Sequence, residues 1–283
     1  RSGNRLQRLV VGSSTISLGL GLGGGKSGTS SGRLPGGGGF NAFSLSFDGT
    51  DDDATVTASL VAKTISIWVK PNSTINASSS NQCLLGFNSS EAGVYLGAGD
   101  TQLTNEVIRI TDGYRSWGYE SASASLSSSA WHHICLVWNT SSSSTNSGNK
   151  GYDIFLNATK VGNGFGNFGV YGNGNFITTS SVRQADMARP GHHAYLNGLL
   201  DEAAIWNVSL SAADVTSIYN SGVPNDLTDS SSYNTDRTSD LIGYWRNGDG
   251  TEGGSGTTVY DMSSNSNNMT LNNGPSYSSD VPT

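Results

Sequence analysis

The sequence predicts an all-β protein, a sandwich of antiparallel sheets, on three observations. Only 13% of the 283 residues are charged and 38 are Gly, so the Lys, Glu, Arg and Leu that build helices are scarce. Six Trp, 11 Tyr and 8 Phe stand among short Val/Ile runs, enough apolar material for a core and against wholesale disorder. Those runs are separated by Gly, Asn, Ser and Pro clusters, the punctuation of strands and turns. The net charge of −7 and pI near 4.9 repel a phosphate backbone, and no Lys/Arg stripe interleaved with aromatics offsets them, which excludes nucleic acid as a partner. No apolar run approaches the roughly 18 residues of a membrane span, and the start lacks the apolar core of a signal peptide. Beginning at Arg1 rather than Met, the chain reads as a processed product or a fragment.

Residues 1–39 form a basic, Gly-rich N-terminal arm: 13 glycines and five positive charges without an acid, leaving −12 on the remainder. Its Leu9, Ile16, Leu18, Leu20 and Leu22 belong to a strand-like alternation that seeks an edge to pair with. The arm reads as a disordered tail or as an assembly anchor ordering on a neighbouring subunit. From Phe40 the strands follow in order: 43–47, 64–70, 82–87, 93–98, 106–111, 131–138, 152–157 and 199–206. In 64–70, Ile65, Ile67 and Val69 share one face, with Ser66, Trp68 and Lys70 on the other; 131–138 is apolar on both faces and reads as a central strand. One surface helix of about three turns is signalled in "LSAADVTSIYNSG". Ser211 caps with Asp214 three residues on, Leu210 staples to Val215, and Gly222 offers the left-handed cap. Residues 223–240 read as a polar linker, and the rest of 223–283 adds about three strands on the same sandwich. Cys83 and Cys135 show no CxxC or His spacing and read as buried thiols, with a disulfide as the alternative.

The order "SLSFDGTDDDATV", "TISIWVKP", "WHHICLVWN", "YDIFLNATKV" and "LNGLLDEAAIWNVSLSAADVTSIYNSG" resembles laminin G-like domains of the concanavalin A-like lectin/glucanase superfamily, over about residues 42–222. The resemblance implies a jelly-roll sandwich of two antiparallel sheets, with residues 40–222 as the domain. Family members usually carry Asn-Gly in the "YDIFLN" hairpin, where this chain has Asn157-Ala158, a departure from the ideal two-residue turn. The C-terminal "LIGYWRNGDG…TVYDMSSNSNNMTLNN" and the Gly-Leu repeats of the arm also resemble laminin G-like proteins of marine bacteriophages.

Because the superfamily includes glucanases, catalysis is the first chemistry to test. Retaining glycosidases need two carboxyl groups about 5–5.5 Å apart, which the laminarinase-type members supply from an E-x-D-x-x-E strand. No such strand is present, and the adjacent Asp201 and Glu202 should point to opposite faces of theirs. The chain reads as no enzyme. A calcium ion is the better use of its acids: similar domains often hold one where the first strand's acidic turn meets the "LLDEA" strand, which makes Asp48, Asp51 and Asp201 the candidate metal ligands. Side-chain turns to the backbone at Asp48 and Asp51, with a buried hydrogen-bond donor for Asp201, explain the same aspartates without a metal. His132-His133 and His192-His193 cannot chelate as neighbours on a strand, and His133 reads as a packed residue. For a glycan, the candidate aromatic platforms are Tyr114, Trp117, Tyr119, Tyr171 and Phe176, each flanked by Gly, Asn or Ser; rim aromatics tucked over the core are the alternative.

The leading functional expectation is a non-enzymatic structural or adhesive protein on a particle surface, a virion component, extracellular and anchored through residues 1–39 to other copies or neighbouring particle proteins. The second is a carbohydrate-binding lectin module of a secreted or cell-surface protein, with cell-surface glycans as partners. A glycan hydrolase is the third, and requires acids from different strands to converge.

Overall fold

The computed structural model describes residues 40–76, 79–88, 92–97, 106–111, 116–120, 125–139, 151–163, 176–186 and 194–283. The arm residues Leu9, Ile16, Leu18, Leu20 and Leu22 lie outside them. In chain order the strands are β1 (Ser44–Asp48), β2 (Asp53–Val56), β3 (Val61–Ala62), β4 (Thr64–Pro71), β5 (Gln82–Phe87), β6 (Ala92–Leu96), β7 (Glu106–Thr111), β8 (Ser116–Glu120) and β9 (His132–Asn139). Then come β10 (Gly151–Leu156), β11 (Thr159–Asn163), β12 (Ile177–Thr178), β13 (Val182–Gln184), β14 (Asn197–Trp206), helix α1 (Ala212–Tyr219), β15 (Leu241–Trp245), β16 (Thr258–Val259), β17 (Met269–Asn272) and β18 (Ser276–Ser278).

The strands build two antiparallel sheets. One runs β11-β10-β9-β4-β14-β1-β18, with β15 also pairing β14; the other runs β16-β17-β2-β13-β5-β6-β7-β8; β3 and β12 form a separate pair. The alternation in β4 explains the layering. Ile65, Ile67 and Val69 are fully buried in the core, alongside Leu85, Val94, Ile108 and Ile110 of the other sheet. Each such side chain contributes about 1.5–3 kcal/mol of transfer free energy. β9 is a central strand, buried on both faces. Ile134, Leu136 and Trp138 belong to that core, whereas Cys135 and Val137 join Trp206, Val215, Ile218, Leu227, Tyr233 and Tyr244 in a second cluster. Both cysteines are free and buried.

The structure corrects three local expectations. The helix has eight residues rather than three turns, and its capping box between Ser211 and Asp214 is complete, but the left-handed C-cap is Asn220 (φ 46) rather than Gly222. Asn157 and Ala158 both take positive φ, 49 and 61, so the two-residue hairpin forms without glycine. It is pinned to β9, because the backbone N–H of His133 donates to Asn157 Oδ1 at 2.9 Å and that of Asn157 to the His133 carbonyl at 2.8 Å. Residues 223–240 are no loose linker: Leu227 and Tyr233 are buried, and Tyr233 Oη accepts from Trp206 Nε1 while donating to the Leu227 carbonyl. The last four strands complete both sheets, β17 pairing β2 and β18 pairing β1.

Candidate functional site

The acidic residue types single out β14 first. Along it Asp201 stands opposite Trp68 and Ala204 opposite Ser66, so β14 carries one residue more than β4 at this point. That residue is accommodated by Glu202 in the left-handed region (φ 48), a β-bulge that re-aims its side chain. The expectation that Asp201 and Glu202 diverge is therefore wrong. Oxygens of Asp201, Glu202 and Asp249 lie within 4.8 Å of one another, all three residues buried. Sequence reasoning missed Asp249 and Arg246, because they come from the turn after β15, and no local spacing reveals a bulge that depends on pairing between strands.

This cluster is sealed by charge and by chain. Arg246 donates through Nε to Glu202 Oε1 at 3.4 Å and lies 3.7 Å from Asp249 Oδ2, while the Tyr244 hydroxyl donates to Glu202 Oε2. Residues entering β1 close it from above: the Arg246 guanidinium stacks 3.8 Å over the Phe40 ring and donates to the Phe40 carbonyl, and the Ala42 N–H donates to Asp249 at 2.9 Å. Burial pushes the Asp201 carboxyl well above the usual carboxylate range, helped by the Glu202 charge. It pushes Glu202 up to about 7 against the opposing effect of Arg246, and raises Asp249 as well. Asp201 Oδ2 and both polar atoms of the Asn41 side chain are withdrawn from water without a partner in hydrogen-bonding geometry, although the Asn41 amide faces that carboxylate closely enough to favour its ionised form. The three carboxylates, of which Asp201 has an unmet Oδ2, and the unmet Asn41 Oδ1 make an all-oxygen donor set that fits a hard cation, for which oxygen ligands are the rule.

The other expected ligands do not join it. Asp48 pairs with Asn197, four residues before Asp201 on β14, so the structure does not bring Asp48 and Asp201 to one ion. Asp48, Asp51 and Asp52 form a separate cluster in which Asp48 and Asp51 are exposed. There Asp48 Oδ1 accepts from the Thr50 N–H at 2.7 Å and Asp52 Oδ2 from the Asp48 N–H at 3.0 Å, the bonds of a self-capping turn.

A Ser–His pair is also present and is structural. Ser66 Oγ lies 2.8 Å from His133 Nε2, but His133 is 1% exposed, packed against Trp68 and Tyr219 with ring centroids at 4.9 and 5.7 Å. Burial drives the imidazole down to about 3, so it stays neutral with no access for a substrate.

Of the expected sugar platforms, Tyr114 and Tyr171 lie outside the described residues. Trp117 and Tyr119 fall on β8, in register with Ile110 and Ile108 of β7, rather than on a loop. Phe176 is half-buried and packs edge-on to Trp138 at 6.3 Å, with Lys63 Nζ 4.9 Å above it, so it finishes the core rim instead of standing free.

Among the described residues, a groove of about 380 Å³ lies beside β15. Ser59, Asn207, Asn265 and Asn267 supply its polar surface, and Leu60, Val61 and Ile242 its apolar surface. Asn207 follows directly on β14, and Asn265 and Asn267 sit in the turn before β17. That turn is organised by Asp261, whose carboxylate accepts from the N–H groups of Tyr244, Ser263 and Asn267 at 2.8, 2.8 and 2.9 Å.

Comparison with known proteins agrees with this architecture. Among solved structures, a candidate carbohydrate binding protein from Bacteroides ovatus superposes with a TM-score of 0.55 at 15% identity, over 86% of this chain and 61% of that one. The chain thus spans about three fifths of that protein's length. A heptameric SAP-like pentraxin from Limulus polyphemus gives 0.38 at 13% identity, covering 64% of this chain and 83% of its own. Domain 4 of the extracellular arabinanase AbnA from Geobacillus stearothermophilus, solved with arabinotriose, gives 0.39 at 15%, covering 62% and 76%. Comparison with curated protein sequences gives no match. The laminin G-like profile described as the concanavalin A-like lectin/glucanases superfamily matches residues 48–216, and the chain belongs to that superfamily.

Proposed function

We propose that this chain is a non-catalytic, extracellular carbohydrate-binding module. The observation that carries the reading is how the fold disposes of its acids. Among the described residues the carboxylates gather in two sets: Asp48, Asp51 and Asp52 cap their own turn, while Asp201, Glu202 and Asp249 are 0–5% exposed, with Glu202 bonded to Arg246 and Tyr244 and Asp249 to the Ala42 N–H, so no scissile bond reaches the buried set. Carboxylates that serve structure among the described residues favour recognition over catalysis, and the likeness to a candidate carbohydrate binding protein over 86% of the chain supports the same reading. A glycan array probed with the full chain, with mass spectrometry of the bound glycans, tests it: retention without cleavage is expected, and cleavage or the absence of any retained glycan contradicts it.

Calcium belongs to this reading as a structural ion. Asp201, Glu202, Asp249 and Asn41 would hold it, and its charge would relieve the mutual repulsion of the buried carboxylates and tie the segment entering β1 to β14. A bound ion adds stability by mass action, so the chain should melt higher in calcium than in chelator, and Asp249→Asn should remove the difference. Equal melting temperatures in both buffers would remove the ion.

A second reading, a virion surface component anchored by residues 1–39, is favoured by one observation: a +5 arm is joined to a −12 body through a junction that Arg246 and Asp249 hold fast at Phe40–Ala42. Deleting 1–39 separates the two, since it should abolish particle incorporation while leaving glycan retention intact.

A further inference from the structure

We infer that the groove beside β15 is the sugar-contacting site and that it takes the neutral end of a glycan, one or two uncharged sugar residues; this rests on the carbohydrate-binding reading above. Nδ2 of Asn265 donates to the Ile242 carbonyl at 3.0 Å and that of Asn267 to the same oxygen at 3.5 Å. The shorter bond holds the Asn265 carboxamide against the Ile242 carbonyl of β15 and the longer one only turns that of Asn267 the same way, leaving their Oδ1 atoms as acceptors for ligand hydroxyls. Asn207 Oδ1 at the groove wall is withdrawn from water and has no partner, an acceptor that a small turn of its side chain would deliver to a hydroxyl. Leu60, Val61 and Ile242 give the groove its apolar surface, against which the C–H groups of a sugar would pack.

Charge and size narrow the ligand. Among the described residues no ionisable side chain lines the groove, and the body carries −12, so an acidic sugar would meet no counter-charge there and a repelling background. At about 380 Å³ the groove stands near the lower end of the roughly 300–1,000 Å³ typical of small-molecule sites, which suits the tip of a chain rather than an internal stretch. It is also preformed. Asp261 ties the turn together, and Trp245, fully buried in the core, donates from Nε1 to the Asn267 carbonyl at 2.8 Å, so little ordering entropy remains to be lost on binding.

The test is saturation-transfer NMR and calorimetric titration of the full chain with maltose, cellobiose, lactose and chitobiose as neutral probes and 3′-sialyllactose as the charged one. Ser59 is exposed, so Ser59→Trp should fold and fill the groove; Asn265→Ala removes one fixed acceptor, and thermal melts check that both variants are native. At least one neutral disaccharide should bind, with affinity falling tenfold or more in Ser59→Trp and several-fold in Asn265→Ala, and 3′-sialyllactose should not bind more tightly than lactose. Binding unchanged in a folded Ser59→Trp overturns the groove but leaves the lectin reading standing. A chain that retains array glycans yet binds none of the neutral probes does the same. Absence of any retained glycan overturns the reading itself.

Discussion

Lowering the pH should destabilise this fold through His133, and the size of the effect follows from its surroundings. The imidazole is buried against Trp68 and Tyr219 with Nε2 bonded to Ser66, and burial holds it at about 3 instead of 6.5. A depressed pKa means that the unfolded chain takes up the proton first. The stability is fully present above pH 6.5, declines as the pH falls, and is lost once the pH passes below about 3. At pH 4.5, two units below the unfolded value, the loss from this residue is about 3 kcal/mol. His133→Gln keeps a polar partner for Ser66 but cannot titrate. Urea denaturation of both proteins at pH 7.5 and 4.5 isolates the effect, because other titrating groups are common to both. The variant should be the less stable at pH 7.5, with the gap shrinking by about 3 kcal/mol at pH 4.5. A gap of constant size would refute the assignment of a neutral, buried imidazole.

Further predictions concern the frame around the site. Ser211→Ala, which opens the capping box of α1, should cost about 1 kcal/mol in urea denaturation. Asp214→Ala should cost about 2 kcal/mol, since it also frees the Thr235 N–H now bonded at 2.9 Å. Gly198→Ala should cost about 1–3 kcal/mol, because its Cβ would stand 2.7 Å from the Lys70 carbonyl oxygen and 3.0 Å from Pro71 Cα, both backbone atoms of β4. Asp280→Ala, by contrast, breaks a bridge to Lys70 between side chains that are 24% and 44% exposed, and should change stability by less than about 1 kcal/mol.

What the sequence revealed follows the range of the physical signal. Alternation in 64–70 and the two-faced apolar run at 131–138 are written within single strands, and β4 and β9 form there with the anticipated faces. The capping box is equally local, a matter of Ser211 and Asp214 three residues apart. Short strands such as β2 and β13 carry too few residues for a pattern and exist because partners on both sides complete them. The buried cluster was half legible: Asp201 stands out as an acid in an apolar strand, but the bulge that turns Glu202 toward it arises from pairing with β4, and Asp249 arrives from 48 positions away. The groove was illegible for a related reason. Its three asparagines belong to a chain rich in Asn and Ser, and only folding distinguishes Asn207, Asn265 and Asn267 from the rest.

The most direct measurement is a crystal structure of the full chain with whichever neutral disaccharide binds best in titration. One sugar residue should sit against Leu60, Val61 and Ile242, with hydroxyls donating to the carboxamide oxygens of Asn207, Asn265 and Asn267. A sugar bound instead over β8 near Trp117 and Tyr119, with the groove left to solvent, would contradict it.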